Sequence, residues 1–259
     1  MILIDSHTHL DMKKFDADRD QMIERALSAG VKQIITIGIH TKSSMKAAVL
    51  TERHPCVFAT AGIHPHNADR TDYQDLKHIA SLARRAKAVA IGEIGLDFYR
   101  NLTSRKKQRE LFKQQLDIAL SVDLPVVIHD REAHEEVLET LSLFKRNGSK
   151  GVIHCFSGDY DLAKTFMGMG YYISIPGTVT LKNARQMQDV AARIPLMRML
   201  LETDAPFLTP LPQRGQRNEP SFVIHTAQKV AELRGIPFEE VAQKTSNNAS
   251  QLFNLPLPT

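Results

Sequence analysis

Near the start of the chain, His7 and His9 flank a single threonine and follow a short apolar run and Asp5. In an extended segment, residues i and i+2 share a face, so both imidazoles can reach one point while Thr8 turns away. Neutral imidazole nitrogens combined with carboxylates are the donor set for zinc, manganese or magnesium-like divalent ions. The same residue types recur at the ends of other apolar segments: His64 and His66, Glu93 and Asp97, His129, His154, and Glu202 with Asp204. Of the 11 histidines, His40, His54, His78, His134 and His225 fall in loops or amphipathic stretches instead. One histidine at a strand end is more often a polar residue bonded to a loop than a ligand; it is the concentration that points to metal.

These residues divide into two ligand sets. Two histidines, His7 and His9, with Glu93 and an aspartate would hold one ion, and Glu93, shared, would hold a second with His129 and His154. The small residues around Glu93, Gly92 and Gly95, are expected to leave open space for both carboxylate oxygens. Other nucleophile schemes lack their residues. The chain has no GxSxG elbow and no GxxxxGK[ST] phosphate loop, and Cys155, next to His154, is expected to point to the opposite strand face. Metal-activated water remains as the nucleophile.

Only a fold that gathers strand ends can bring such distant residues together. Eight β-branched or apolar segments are visible at 2–7, 33–39, 57–64, 88–95, 125–130, 151–156, 171–177 and 199–206. Between them lie stretches with helical spacing at 19–30, 73–86, 105–123, 132–146, 159–169 and 183–193, the first closing on Gly30. Near-continuous apolar strands alternating with helices predict a parallel sheet covered on both faces. Eight such units within about 250 residues predict an α/β fold, a (β/α)8 TIM barrel, whose chemistry sits at the C-terminal ends of the strands. A doubly wound sheet would carry a glycine fingerprint after its first strand, where this chain has SHTHLD. A Pro-rich loop, 208–220, leads into two further helices at about 221–234 and 238–252, expected to complete the outer shell of a single domain spanning 1–259.

The bulk numbers are those of an ordinary globular protein, with 42% hydrophobic and 24% charged residues. No stretch has the length of a membrane helix, and the apolar run Met1–Ile4 is too short for a signal-peptide core, so a cytoplasmic protein is expected. Cys56 and Cys155, without a CxxC pattern, are expected as buried reduced thiols. The net charge of +4 is compatible with a polyanionic substrate.

The chain resembles the TatD-type metal-dependent hydrolases, the deoxyribonuclease-like branch of the amidohydrolase superfamily. The resemblance rests on DSHTHLD (5–11), AGIHPH (61–66), IGEIGLDFYR (91–100), PVVIHDRE (125–132), HCFSG (154–158), LLETDAPFLTP (200–210), RGQRNEP (214–220) and NNASQLF (247–253), in the family's order. It implies a TIM barrel with one to three divalent ions, and carries His7, His9, Glu93 and Asp204 to one ion and Glu93, His129 and His154 to another. A phosphotriesterase-like branch bridges its metals with a carboxylated lysine; Glu93 at that strand fits the TatD side. The chain departs from the family in having Thr8 where a cysteine is common and Asp130 where a serine is common; neither change removes a ligand.

The expected activity is phosphodiester hydrolysis, most plausibly 3′-5′ exonucleolytic cleavage of DNA, with Asp204 and Glu93 as catalytic residues and two ions ~3.5–4 Å apart. His64, His66, Tyr99, Arg100 and Arg131 are the candidates for substrate binding. The same centre would also suit a carboxylic ester or amide, for instance a D-aminoacyl-tRNA. A non-catalytic nucleic-acid-binding protein is a third reading, against which stands the lack of an RRM-like aromatic signature or zinc-finger spacing.

Overall fold

The structure is a computed structural model that describes residues 2–145 and 150–256. Eight parallel strands follow one another around a sheet in chain order: β1 (Leu3–Thr8), β2 (Val31–Thr36), β3 (Val57–Ala61), β4 (Ala88–Asp97), β5 (Val126–Arg131), β6 (Gly151–Ile153), β7 (Tyr172–Ile175) and β8 (Met199–Leu201). A parallel bridge between Thr8 and Ala205 joins the last strand's exit to the first, and the amide of Asp204 donates to the His7 carbonyl at 2.9 Å. The TIM barrel expected from the segment pattern is therefore present.

The helices are α1 (Arg19–Ser28), α2 (Thr41–Arg53), α3 (Tyr73–Leu82), α4 (Arg105–Val122), α5 (His134–Lys145), α6 (Tyr160–Gly168), α7 (Arg185–Arg193), α8 (Val223–Arg234) and α9 (Phe238–Phe253). Residue 146, the end of the helix expected at 132–146, lies outside the described residues. In α4 the residues at helical spacing, Leu111, Phe112, Gln115, Leu116 and Ala119, are all buried, as their period required. Helix α2 was not visible in the sequence because its faces are inverted in size: Ser43, Ser44, Ala47 and Ala48 face inward, while Met45 and Val49 are exposed.

Ile4, Ile35, Phe58, Ala90, Val127, Val152, Tyr172 and Leu200 pack together with Leu252 and Phe253 of α9. These side chains fill the barrel, as in other folds of this architecture. Helix α9 does not complete the outer shell as expected. It covers the N-terminal ends of β1 and β8, where Ser246 donates to the Ile2 carbonyl and Asn248 to those of Leu196 and Met199. The opposite end of the barrel is left for the site.

Several strands are shorter than their apolar segments. β3 stops at Ala61, β6 at Ile153 and β8 at Leu201, so His64, His154 and Asp204 lie on the chain just beyond the ladder. Near the site, β1 and β4 each carry an extra residue. From Asp5 to Thr8, β1 advances three residues while β2 advances two, and from Ile91 to Ile94, β4 does the same against β5. An extra residue in a ladder re-aims the local side chains, and the two irregularities bracket His7 and Glu93.

Candidate metal centre

The C-terminal ends of the strands surround an open cleft of about 510 Å³. On its floor, Asp204 Oδ1 stands 3.3 Å from His9 Nε2 and 3.6 Å from His7 Nε2, and Glu93 Oε2 stands 3.6 Å from His7 Nε2 and 4.0 Å from His9 Nε2. Donors bound about 2.0–2.2 Å from one ion lie roughly 3–3.6 Å apart. Both nitrogens of His7 are buried without a hydrogen-bond partner, an arrangement that is costly unless a cation faces the ring. These four side chains thus fit a divalent ion.

The other oxygen of Glu93 faces a different group. Oε1 lies 2.8 Å from His129 Nδ1, 2.9 Å from His154 Nε2 and 3.5 Å from His64 Nε2. One carboxylate therefore turns one oxygen to each of two histidine sets, the geometry of a bridging ligand. His7 and His154 stack with ring centroids 3.8 Å apart, so the two sets adjoin.

Groups behind the rings fix which nitrogen is offered. His9 Nδ1 is 3.3 Å from the Ile37 carbonyl, which holds the proton there and leaves the Nε2 lone pair on the site. Glu202 Oε1 accepts from the Cys155 amide and lies 3.3 Å from His154 Nδ1, and Asp97 Oδ2 lies 3.0 Å from His129 Nε2. His64 behaves differently. Its Nδ1 accepts from the His66 amide at 3.1 Å, so the neutral ring carries its proton on Nε2 and presents a donor. That makes His64 a hydrogen-bond donor into the cleft, although its Nε2 stands 3.5 Å from Glu93 Oε1.

The floor is rich in negative charge. Burial opposes ionisation of Glu93, but His154, His64 and His129 outweigh it and hold the carboxyl well below its usual range. In Asp97, contacts with His129 and His66 outweigh burial in the same sense, and in Asp204 those with His9 and His7 do so. Burial also opposes a charge on His154 and His129, yet the surrounding carboxylates raise both, His154 strongly. His7 is lowered by burial and by His154, and His64 is lowered strongly, mainly by burial. Carboxylates in such numbers need positive charge beside them, which protons on histidine or divalent ions can supply.

Helix α4 sets the second half of this frame. Gln108 accepts from the Asp97 amide at 2.8 Å and donates to the Asp97 and Thr103 carbonyls, while Gln115 makes a paired contact with the Ile63 amide and carbonyl at 2.8 and 2.9 Å. The first half is set by Asp5, fully buried beneath His7, which accepts from the Thr203 amide and hydroxyl. Asn218, in the RGQRNEP segment, donates to the carbonyls of Thr203 and Phe207 and so spans the loop that carries Asp204.

All the candidate ligands are brought together, and His64, His66, Tyr99, Arg100 and Arg131 line the same cleft. Arg131 stacks over Tyr99 at 5.1 Å, and His66 Nε2 lies 2.9 Å from Asp97. The other five histidines stay away: His40 caps α2, and His134 pairs with Asp130 at 2.8 Å, offsetting the charge that the aspartate brings to the rim. Gly92 and Gly95 permit close packing around β4, since a Cβ at Gly92 would meet Val127 at 2.6 Å and one at Gly95 the His129 carbonyl at 2.0 Å. Two expectations need correction. Cys56 and Cys155 are half-buried. Cys155, at φ 44°, sits in a turn beyond β6 and lines the cleft, because the strand alternation that would turn it away has already ended. Residue types alone assign no positioning role to Asp97, Glu202, Gln108 or Asn218 and no place on the rim to Phe207; RGQRNEP and the Phe of LLETDAPFLTP are the available signals.

A family model described as TatD related DNase matches residues 4–254. The chain belongs to this family. Among relatives, the TatD-family chain is 39% identical to the uncharacterized metal-dependent hydrolase YabD of Bacillus subtilis, over 98% of this chain and 100% of the relative. It is 37% identical to the 3′-5′ ssDNA/RNA exonuclease TatD of Erwinia tasmaniensis, over 98% and 100%. The crystal structure of the TatD homologue YjjV from Escherichia coli superposes with a TM-score of 0.93 at 34% identity, covering 98% of each chain. The TatD-family chain is accordingly a metal-dependent hydrolase. Among the described residues, no helix is long and apolar enough to cross a membrane.

Proposed function

We propose that this chain, acting as one domain in the cytoplasm, hydrolyses phosphodiester bonds of single-stranded DNA from a 3′ end. The observation that carries the reading is Glu93, whose two oxygens face two separate histidine sets. His7, His9, Glu93 and Asp204 would hold one divalent ion, and Glu93, His129 and His154 a second, the ions being zinc, magnesium or manganese. Bound there, such ions would polarise the phosphoryl oxygen and acidify the attacking water.

The protein's own groups do the rest. Asp204, with Oδ1 turned to the two histidines, orients the attacking water and takes its proton on the carboxylate. Against burial, its contacts with His9 and His7 hold the carboxyl below its usual range, so it is ionised at neutral pH. Glu93 fixes the spacing between the two halves of the site. His64 donates from Nε2 to a substrate oxygen, while Arg100 and Arg131 on the rim pair with the phosphates and His66 and Tyr99 line the path of the strand. The relative named as a 3′-5′ ssDNA/RNA exonuclease supports the choice of bond.

The test is an assay of purified protein after chelation, with Mg²⁺, Mn²⁺ or Zn²⁺ added back, on single-stranded DNA with a free 3′ end and in parallel on a D-aminoacyl-tRNA. Metal-restored release of nucleotides is expected. Activity on the aminoacyl ester alone would replace the nuclease reading.

A further inference from the structure

The ligand geometry leaves two exposed rings unexplained. Phe207 is 42% exposed and Tyr99 is 56% exposed, and both line the cleft. Among the described residues, Phe207 is the only phenylalanine in the set of exposed large apolar side chains. It is nonetheless held firmly: its amide donates to the Asp204 carbonyl at 2.8 Å, and its carbonyl accepts from the buried Asn218. Its ring meets that of His9 edge-on at 6.1 Å, which places it beside the first ligand set. Tyr99 is fixed likewise, its amide donating to Asp97 Oδ1 at 3.1 Å, beside the second set.

Each ring is accompanied by a cation. Lys14 Nζ lies 5.4 Å from the Phe207 centroid and the Arg131 guanidinium 5.1 Å from that of Tyr99. Among the described residues, neither cation forms an ion pair. Phe207 follows β8 and Tyr99 follows β4, and the strand order places these four positions apart in a ring of eight, on opposite sides of the mouth. Rigid aromatic faces beside unpaired cations are how proteins bind single-stranded nucleic acid irrespective of sequence.

We infer that Phe207 and Tyr99 are two base-stacking platforms that grip the nucleotides on either side of the scissile phosphodiester, with Lys14 and Arg131 serving the flanking phosphates. The inference rests on the single-strand nuclease reading. It gives the substrate class a physical basis: bases paired within a duplex cannot splay onto two faces across a cleft, whereas unpaired ones can. It also makes the enzyme tolerant of base identity, since every base has a face to stack.

The experiment uses the metal-loaded full chain and a labelled single-stranded oligonucleotide, together with two versions carrying an abasic tetrahydrofuran residue at the last or the next-to-last position. Stacking contributes enough that Phe207→Leu should raise KM on the intact strand by roughly 5- to 100-fold, with kcat little changed. On the strand that lacks the base served by Phe207, the variant and the parent should show the same KM. Tyr99→Leu should show this equality on the other abasic strand, and Phe207→Trp should keep the parent KM. Metal content of Phe207→Leu should equal that of the parent, which separates stacking from disturbance of His9. An unchanged KM for Phe207→Leu, a defect undiminished on both abasic strands, or a Trp variant as impaired as the Leu variant would overturn the inference while leaving the nuclease intact. A parent protein that cleaves no single-stranded oligonucleotide would overturn the nuclease reading, and the inference with it.

Discussion

Asp97 Oδ2 stands 3.0 Å from His129 Nε2, and the other nitrogen of that ring, Nδ1, stands 2.8 Å from Glu93 Oε1. The aspartate thus decides which nitrogen is protonated and aims the other at the shared carboxylate. Losing such a partner usually costs about 10- to 100-fold in metal affinity. Asp97→Asn, titrated with Mn²⁺ after stripping, should weaken one binding event by that factor and leave the other near the parent value.

The two ligand sets predict separable losses. His7→Ala with His9→Ala should abolish the ion shared with Asp204, while a protein carrying His129→Ala with His154→Ala should keep it. Metal content after dialysis reads this directly. Both double variants should lose hydrolytic activity, since each removes one half of the centre.

Asn218 is fully buried, spans two carbonyls with its amide and accepts from the Glu219 amide at 2.9 Å. Removing it strands those backbone groups, at a cost of about 3 kcal/mol. Thermal melting of Asn218→Ala should therefore show a midpoint roughly 6–12 °C below that of the parent. Activity should fall as well at temperatures where the variant is folded, because Asp204 sits within the loop that Asn218 spans.

Asp18 binds Arg217 through both terminal nitrogens at 2.7 Å and Arg25 at 3.0 Å, tying α1 to the segment that carries Asn218. Arg217 is the main cause of a carboxyl pulled from 3.8 down to about 2. A depressed folded-state pKa means that the stabilisation is fully present above about 4 and is lost as pH falls toward about 2. The melting-temperature gap between the parent and Asp18→Asn should be open at neutral pH, close across that acid window, and narrow with added salt because the pair is partly exposed.

The barrel and the ligand set were legible in the sequence because both depend on residue type recurring at strand ends. The positioning groups were not, for reasons that particular residues make plain. Glu93 was legible as a ligand by its type, but the extra residue in β4 that re-aims it from mid-strand was not, because strand alternation cannot reveal a register shift. Gln108 and Gln115 look like polar interruptions of an amphipathic helix, yet both are buried and hold the β3 and β4 exits. Helix α2 presents serine and alanine to the core, so its period carries little hydrophobic contrast. Gly92 and Gly95 are demanded by the close approach of Val127 and of the His129 carbonyl to β4, a packing constraint that residue type alone does not disclose.

The central claim is that one carboxylate, Glu93, joins two ion sites, and stoichiometry tests it most directly. Stripped parent protein titrated calorimetrically with Mn²⁺ should bind two ions per chain, and Glu93→Gln, with one oxygen replaced by an amide, should lose high-affinity binding at both positions together. A parent that takes up a single ion, or a Glu93→Gln protein that still binds two with parental affinity, would contradict it.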